Sequence, residues 1–134
     1  MIVADTNLIS YLLIDGSRTK AARRAWQRDP RWVVPTLWRS EFLNVLCLSV
    51  RAGVIAEDDA FRTWEIASER LGLAEREPAA ADILRIALRD GITAYDAQFV
   101  AVAEEQGLRL VTSDRKLQRA CPAVAVMVED FIEK

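Results

Sequence analysis

A chain of 134 residues with 51% hydrophobic content holds enough apolar material for one core, and is expected to form a single domain over residues 1–134. It contains no histidine, which excludes Ser/His/Asp and Cys/His nucleophilic machinery and histidine-based zinc sites, so acid–base or metal chemistry must rest on carboxylates. A net charge of −2 does not by itself predict a polyanionic partner, and the lack of a long apolar run or of a basic leader before Asp5 predicts a cytoplasmic protein with no membrane span.

Ile2-Val3-Ala4 reads as a short buried strand, followed by Asp5-Thr6-Asn7 and a helix carrying Leu8, Ile9, Leu12 and Leu13 at helical spacing. A basic helix from about Thr19 to Arg28 ends at Asp29-Pro30, and Trp32-Val33-Val34-Pro35 is a second strand. Thr36 is the expected N-cap of a helix running to Gly53, and a further helix spans about Glu57 to Arg70. Leu71 to Ala74 is a weak strand candidate, and Pro78 opens a helix to Arg89 that Gly91 stops. Thr93 caps a helix through Gln106, closed by Gly107; Leu108 to Thr112 and Ala123 to Val128 are the last strands, with a short helix to Lys134. Short apolar strands alternating with helices predict a mostly parallel sheet with helices on both faces.

In such a sheet the binding crevice lies beyond the carboxyl ends of the strands. Asp5 follows the first strand and Asp114 the fourth; Glu41 is expected in the second turn of its helix and Asp96 in the first turn of its own, so the four acids can converge. Each alone has a structural explanation: Asp5 as a turn residue with Asn7 capping the helix, Asp96 in a capping box with Thr93, Asp114 as a cap. Together, four carboxylates repel one another unless cations neutralise them, and a hard divalent ion, magnesium or manganese, suits an oxygen-only site.

Between Ser17 and Ser40 seven basic residues, among them Arg18, Lys20, Arg23 and Arg24, face the single acid Asp29, with Trp26, Trp32 and Trp38 interleaved. The segment is either a nucleic-acid-tracking surface or a solvated helix face with its tryptophans in the core. Cys47 and Cys121 lack metal-ligand spacing and read as buried or half-buried thiols.

Four stretches in order, Val3-Ala4-Asp5-Thr6-Asn7, Ser40-Glu41-Phe42-Leu43-Asn44-Val45-Leu46, Tyr95-Asp96-Ala97-Gln98-Phe99-Val100-Ala101-Val102-Ala103 and Leu110-Val111-Thr112-Ser113-Asp114, resemble the PIN-domain nucleases and, among them, the VapC-type toxins of toxin–antitoxin pairs. The resemblance implies a three-layer α/β/α sandwich around a mostly parallel sheet of four or five strands. It also implies that Asp5, Glu41, Asp96 and Asp114 bind Mg2+ or Mn2+ and hydrolyse phosphodiester bonds in RNA. Thr6, Asn7, Asn44 and Thr112 match supporting positions beside the site, and Arg18, Lys20, Arg23 and Arg24 are candidate RNA contacts. Arg115 and Lys116 follow Asp114, so no fifth metal ligand is assigned. The family further implies a homodimer and a cognate antitoxin whose C-terminal segment covers the site, for which Trp26 and Trp38 could line a groove. The competing expectations are a catalytically silent RNA- or protein-binding module, and a nuclease acting on DNA.

Overall fold

The computed structural model describes residues 1–133. In chain order the elements are β1 (Ile2–Ala4), α1 (Thr6–Leu13), α2 (Thr19–Arg28), β2 (Trp32–Pro35), α3 (Trp38–Arg51) and α4 (Glu57–Leu71), then a 3-10 turn (Gly72–Ala74). There follow β3 (Glu75–Arg76), α5 (Ala80–Asp90), α6 (Ala94–Gln106), β4 (Leu110–Thr112), α7 (Arg115–Ala120), β5 (Ala125–Met127) and α8 (Val128–Glu133).

The five strands lie in the order β3-β2-β1-β4-β5, all parallel, with Val3 opposite both Val33 and Leu110, and Val111 opposite Val126. Because side chains alternate along a strand, each of the apolar strands serves two cores. Ile2, Ala4, Trp32, Val34, Val111 and Val126 pack on one face with Leu8, Trp38, Phe42 and Phe131. Val3, Val33, Leu110 and Ala125 pack on the other with Ile86, Val100 and Leu117. The result is a three-layer sandwich. Strand order reverses direction at β1, so the crossovers on either side part between β1 and β4 and open a crevice at their carboxyl ends.

The local signals hold where a cap or an apolar run defines them. Thr93 accepts the Asp96 amide, and Gly91 and Gly107 end their helices in left-handed backbone, with φ of 66° and 65°. They fail where tertiary contacts decide. Leu71 to Ala74 is the end of α4 and a 3-10 turn, and the strand is the polar pair Glu75–Arg76. Thr36 caps no helix, because its hydroxyl donates to Glu77; α3 begins with Leu37 as N-cap, which puts Glu41 in the first turn. Asp5 rather than Asn7 caps α1, and α5 begins at Ala80, two residues after Pro78. β4 and β5 are each three residues long, shorter than the apolar runs containing them, and Lys134 lies outside the described residues. Cys47 is exposed and Cys121 buried. Among the described residues no helix is long and apolar enough to cross a membrane.

Candidate active site

Asp5 ends β1 and starts α1, and its extended backbone (φ −77°, ψ 165°) aims the side chain back over the first helical turn. There Oδ1 accepts the Leu8 amide at 2.8 Å, and Oδ2 accepts the Thr112 hydroxyl at 2.6 Å. Thr112 closes β4, fully buried, and its Oγ1 also accepts the Asp114 amide at 2.9 Å, so one hydroxyl ties the ends of β1 and β4 together. Asp114 in turn caps α7 through the Leu117 amide at 3.1 Å. On the neighbouring side Glu41 accepts the Thr6 hydroxyl at 2.7 Å, and Asp96 sits in the first turn of α6 above Thr93.

All four acids line one cleft of about 270 Å³ with Thr6, Asn7, Asn44, Val45, Phe99 and Leu117. Phe99 and Leu117 are not singled out by sequence chemistry, yet each stands three residues after an acid of the site, the spacing that shares a helix face. Thr112 lies behind the cleft, reaching it only through Asp5 and Asp114. None of Arg18, Lys20, Arg23 and Arg24 lines the cleft; all four are exposed. Of the interleaved tryptophans, Trp32 and Trp38 are core residues and Trp26 is half-buried, so Trp38 cannot line a partner groove.

Among the described residues no cation borders the cleft, and the acids feel one another. Burial pushes Asp5 up to about 6, against the hydrogen bonds from Thr112 and Leu8 and with help from Asp114. Burial also raises Glu41, with repulsion from Asp96 adding to it, and raises Asp96, with repulsion from Asp114 adding to it. Repulsion thus links Glu41, Asp96, Asp114 and Asp5 in a chain of like charges. An oxygen-only donor set under this strain fits a hard divalent cation. Among the described residues no three acidic or cysteine side chains are already gathered as a complete cage. A small ion that keeps several of its waters and takes one or two carboxylates directly needs no such cage.

Residues 2–121 match the family described as the PIN domain. The chain is 32% identical over 127 residues to Ribonuclease VapC3 of Pyrobaculum aerophilum, covering 92% of this chain and 96% of that protein. Among solved structures, PAE2754 from Pyrobaculum aerophilum superposes with a TM-score of 0.77 at 25% identity, over 98% of this chain and 93% of that one. A toxin–antitoxin complex from Klebsiella pneumoniae contains a chain of the same fold, with a TM-score of 0.70 at 19% identity, covering 96% of this chain and 98% of that one.

Proposed function

This chain belongs to the PIN-domain family, and from that premise we propose that it is a metal-dependent endoribonuclease, the toxin of a toxin–antitoxin pair acting in the cytoplasm. The observation that carries the proposal is the convergence of Asp5, Glu41, Asp96 and Asp114, from four separate segments, on one cleft that no cation among the described residues borders. The likeness to a named ribonuclease over nearly its whole length supports the substrate class.

The four carboxylates would hold Mg2+ or Mn2+, which when bound neutralises them, polarises the scissile phosphate and lowers the pKa of a water. The protein's own part is to place the carboxylates. The Leu8 amide and the Thr112 hydroxyl fix the two oxygens of Asp5, whose second lone pairs remain for a cation, and Thr6 fixes one oxygen of Glu41, leaving its other oxygen without a protein hydrogen bond. Asn7 and Asn44, on its border, supply amides able to orient a water or a phosphate oxygen. Attack of water on phosphorus from this cleft yields a 5′-phosphate and a 3′-hydroxyl.

A cognate antitoxin is proposed as partner. An apolar groove of about 350 Å³ between α3 and α4, bordered by the exposed Leu43 and Phe61, suits an amphipathic helix. A homodimer is proposed as well, and the exposed Leu84 and Leu88, one turn apart on α5, offer it an apolar face.

One observation favours a second reading, a catalytically silent binding module: Asp5 and Asp114 both serve as helix caps. Glu41 and Asp96 cap no helix through an amide in this way; they bond to the Thr6 and Thr93 hydroxyls, and burial with like-charge repulsion raises both. The deciding experiment is cleavage of a mixed pool of structured RNAs by the wild type and Asp5→Asn, with magnesium, with manganese and with chelator. Cleavage by the wild type alone, lost with chelator, supports the nuclease. Cleavage of DNA in preference would change the substrate; no cleavage, with no metal-induced rise in melting temperature, overturns the proposal in favour of the silent module.

A further inference from the structure

The carboxylate cleft does not end at its acids. Thr6 and Asn7 of α1 and Glu41, Asn44 and Val45 of α3 border it; Ser10 and Tyr11 of α1, Ile14 just beyond its end, and Val45 and Ser49 of α3 border a second cleft of about 300 Å³. Val45 is common to both. The two spaces therefore follow one another along the same pair of helices, and from Glu41 to Ser49 the axis advances about 12 Å at the α-helical rise.

The second cleft has the charge that the first lacks. Its far wall is the α1–α2 connection, where Arg18 lies over the Tyr11 ring with its guanidinium carbon 5.3 Å from the ring centroid. Stacking there holds a long side chain in place while leaving its N–H donors for an anion. Asp15 also borders the cleft, but its side chain is at the surface and pairs with Arg23 at 3.6 Å, which leaves Arg18 as the cation on the border among the described residues; Arg18 and Tyr11 also border a neighbouring cleft with Ala22 and Glu129. Ser17 and Ser49 add hydroxyls. Lys20 and Arg24, on exposed positions of α2, border neither space.

We propose that this second cleft is a subsite for the single-stranded RNA adjoining the scissile phosphate: the strand leaves the carboxylates past Val45 and places a neighbouring phosphate on Arg18. The proposal rests on the nuclease reading and deepens it, since a basic residue beside an aromatic face, continuous with a phosphodiester-cleaving site, is the arrangement by which proteins hold single strands. It also divides the basic segment, assigning Arg18 a defined phosphate contact that the outward residues of α2 do not share.

The test uses the full chain carrying Asp5→Asn, so that bound RNA survives, and a short mixed-sequence RNA containing 4-thiouridine. Crosslinks should fall in residues 10–20 and near Ser49. Added Arg18→Ala should weaken binding several-fold and flatten the dependence of log affinity on log salt by about 0.7, the increment for one phosphate on a single strand. Arg18→Lys should restore that slope, since the slope counts charges, whereas a merely structural role for Arg18 would not be rescued in this way. An unchanged slope in Arg18→Ala, or crosslinks confined to other faces, overturns the subsite. If the wild type nonetheless cleaves RNA with magnesium or manganese, the nuclease reading stands without it; if no cleavage occurs with either metal and neither raises the melting temperature, both fall.

Discussion

The Thr112 hydroxyl donates to Asp5 at 2.6 Å while accepting from the Asp114 amide at 2.9 Å, and so joins two acids 109 positions apart in the chain through a group that is itself sealed from solvent. Thr112→Val keeps the shape and removes both bonds. It should cost about 1 to 3 kcal/mol, the range for leaving a buried polar group unpaired. It should also raise Asp5 beyond about 6, since the Thr112 bond opposes the effect of burial. Chemical denaturation and the pH dependence of cleavage measure the two effects, and Thr112→Ser should restore both. A valine variant as stable and active as the wild type would remove Thr112 from the positioning machinery.

The metal-free protein should lose stability as pH rises. Asp5 moves from an ordinary 3.8 to about 6 on folding, chiefly by burial, and Glu41 and Asp96 shift the same way. A folded-state pKa above the unfolded one means that the native state binds more protons in between, so stability falls through pH 4 to 6 and stays lost above. About two units on Asp5, at roughly 1.4 kcal/mol each, amount to on the order of 3 kcal/mol. Glu75 and Asp90, lowered by their bonds to Arg39 and Arg89, act in the opposite sense, and only below the ordinary carboxylate range. Asp5→Asn keeps a good helix cap and should flatten the decline. Magnesium should raise the neutral-pH melting temperature of the wild type and not of this variant. A melting temperature independent of pH and of magnesium in both proteins would sink the account.

The convergence of the four acids on one cleft was legible in the sequence because the carboxyl ends of apolar strands are marked by composition. Val3-Ala4 before Asp5 and Val111-Thr112 before Asp114 announce strand, edge and acid in a few residues. Sheet edge Glu75–Arg76 was not, since nothing apolar marks it and its pairing with Val34 and Pro35 depends on side chains distant in sequence. Thr36 misled for a related reason: a hydroxyl before a helix reads as a cap, but Glu77 takes it. Trp38 among arginines could be groove or core, and only the packing of α3 on α4, which stacks Trp64 on the Trp38 ring with centroids 5.4 Å apart, decides for core.

Phe61 is two-thirds exposed (67%) on α4 beside the apolar groove, a poor use of an aromatic ring unless something covers it. Phe61→Glu should leave the protein's own stability within about 0.5 kcal/mol, as for surface substitutions generally. A central aromatic contact contributes about 2 kcal/mol or more at an interface, so affinity for the cognate antitoxin should drop at least 30-fold by calorimetry. Undiminished affinity would place the antitoxin elsewhere.

Glu75 carries more of the fold than a two-residue edge strand suggests. Its carboxylate accepts Trp38 Nε1 at 2.8 Å and both Arg39 Nε and a terminal nitrogen at 2.6 and 2.8 Å, fastening β3 to the first turn of the helix that presents Glu41. The Arg39 pair is partly exposed and contributes little by itself. Trp38 is different, because its ring is fully buried and its N–H has no other acceptor. Glu75→Leu should therefore cost about 2 to 3 kcal/mol, mostly from the stranded indole donor, whereas Glu75→Gln keeps an acceptor and should cost about 1 kcal/mol or less. Urea midpoints resolve the two at unchanged slope. If the glutamine variant fell as far as the leucine variant, the Arg39 charge rather than the indole bond would be what holds β3, and a double-mutant cycle with Arg39→Ala would then show the coupling.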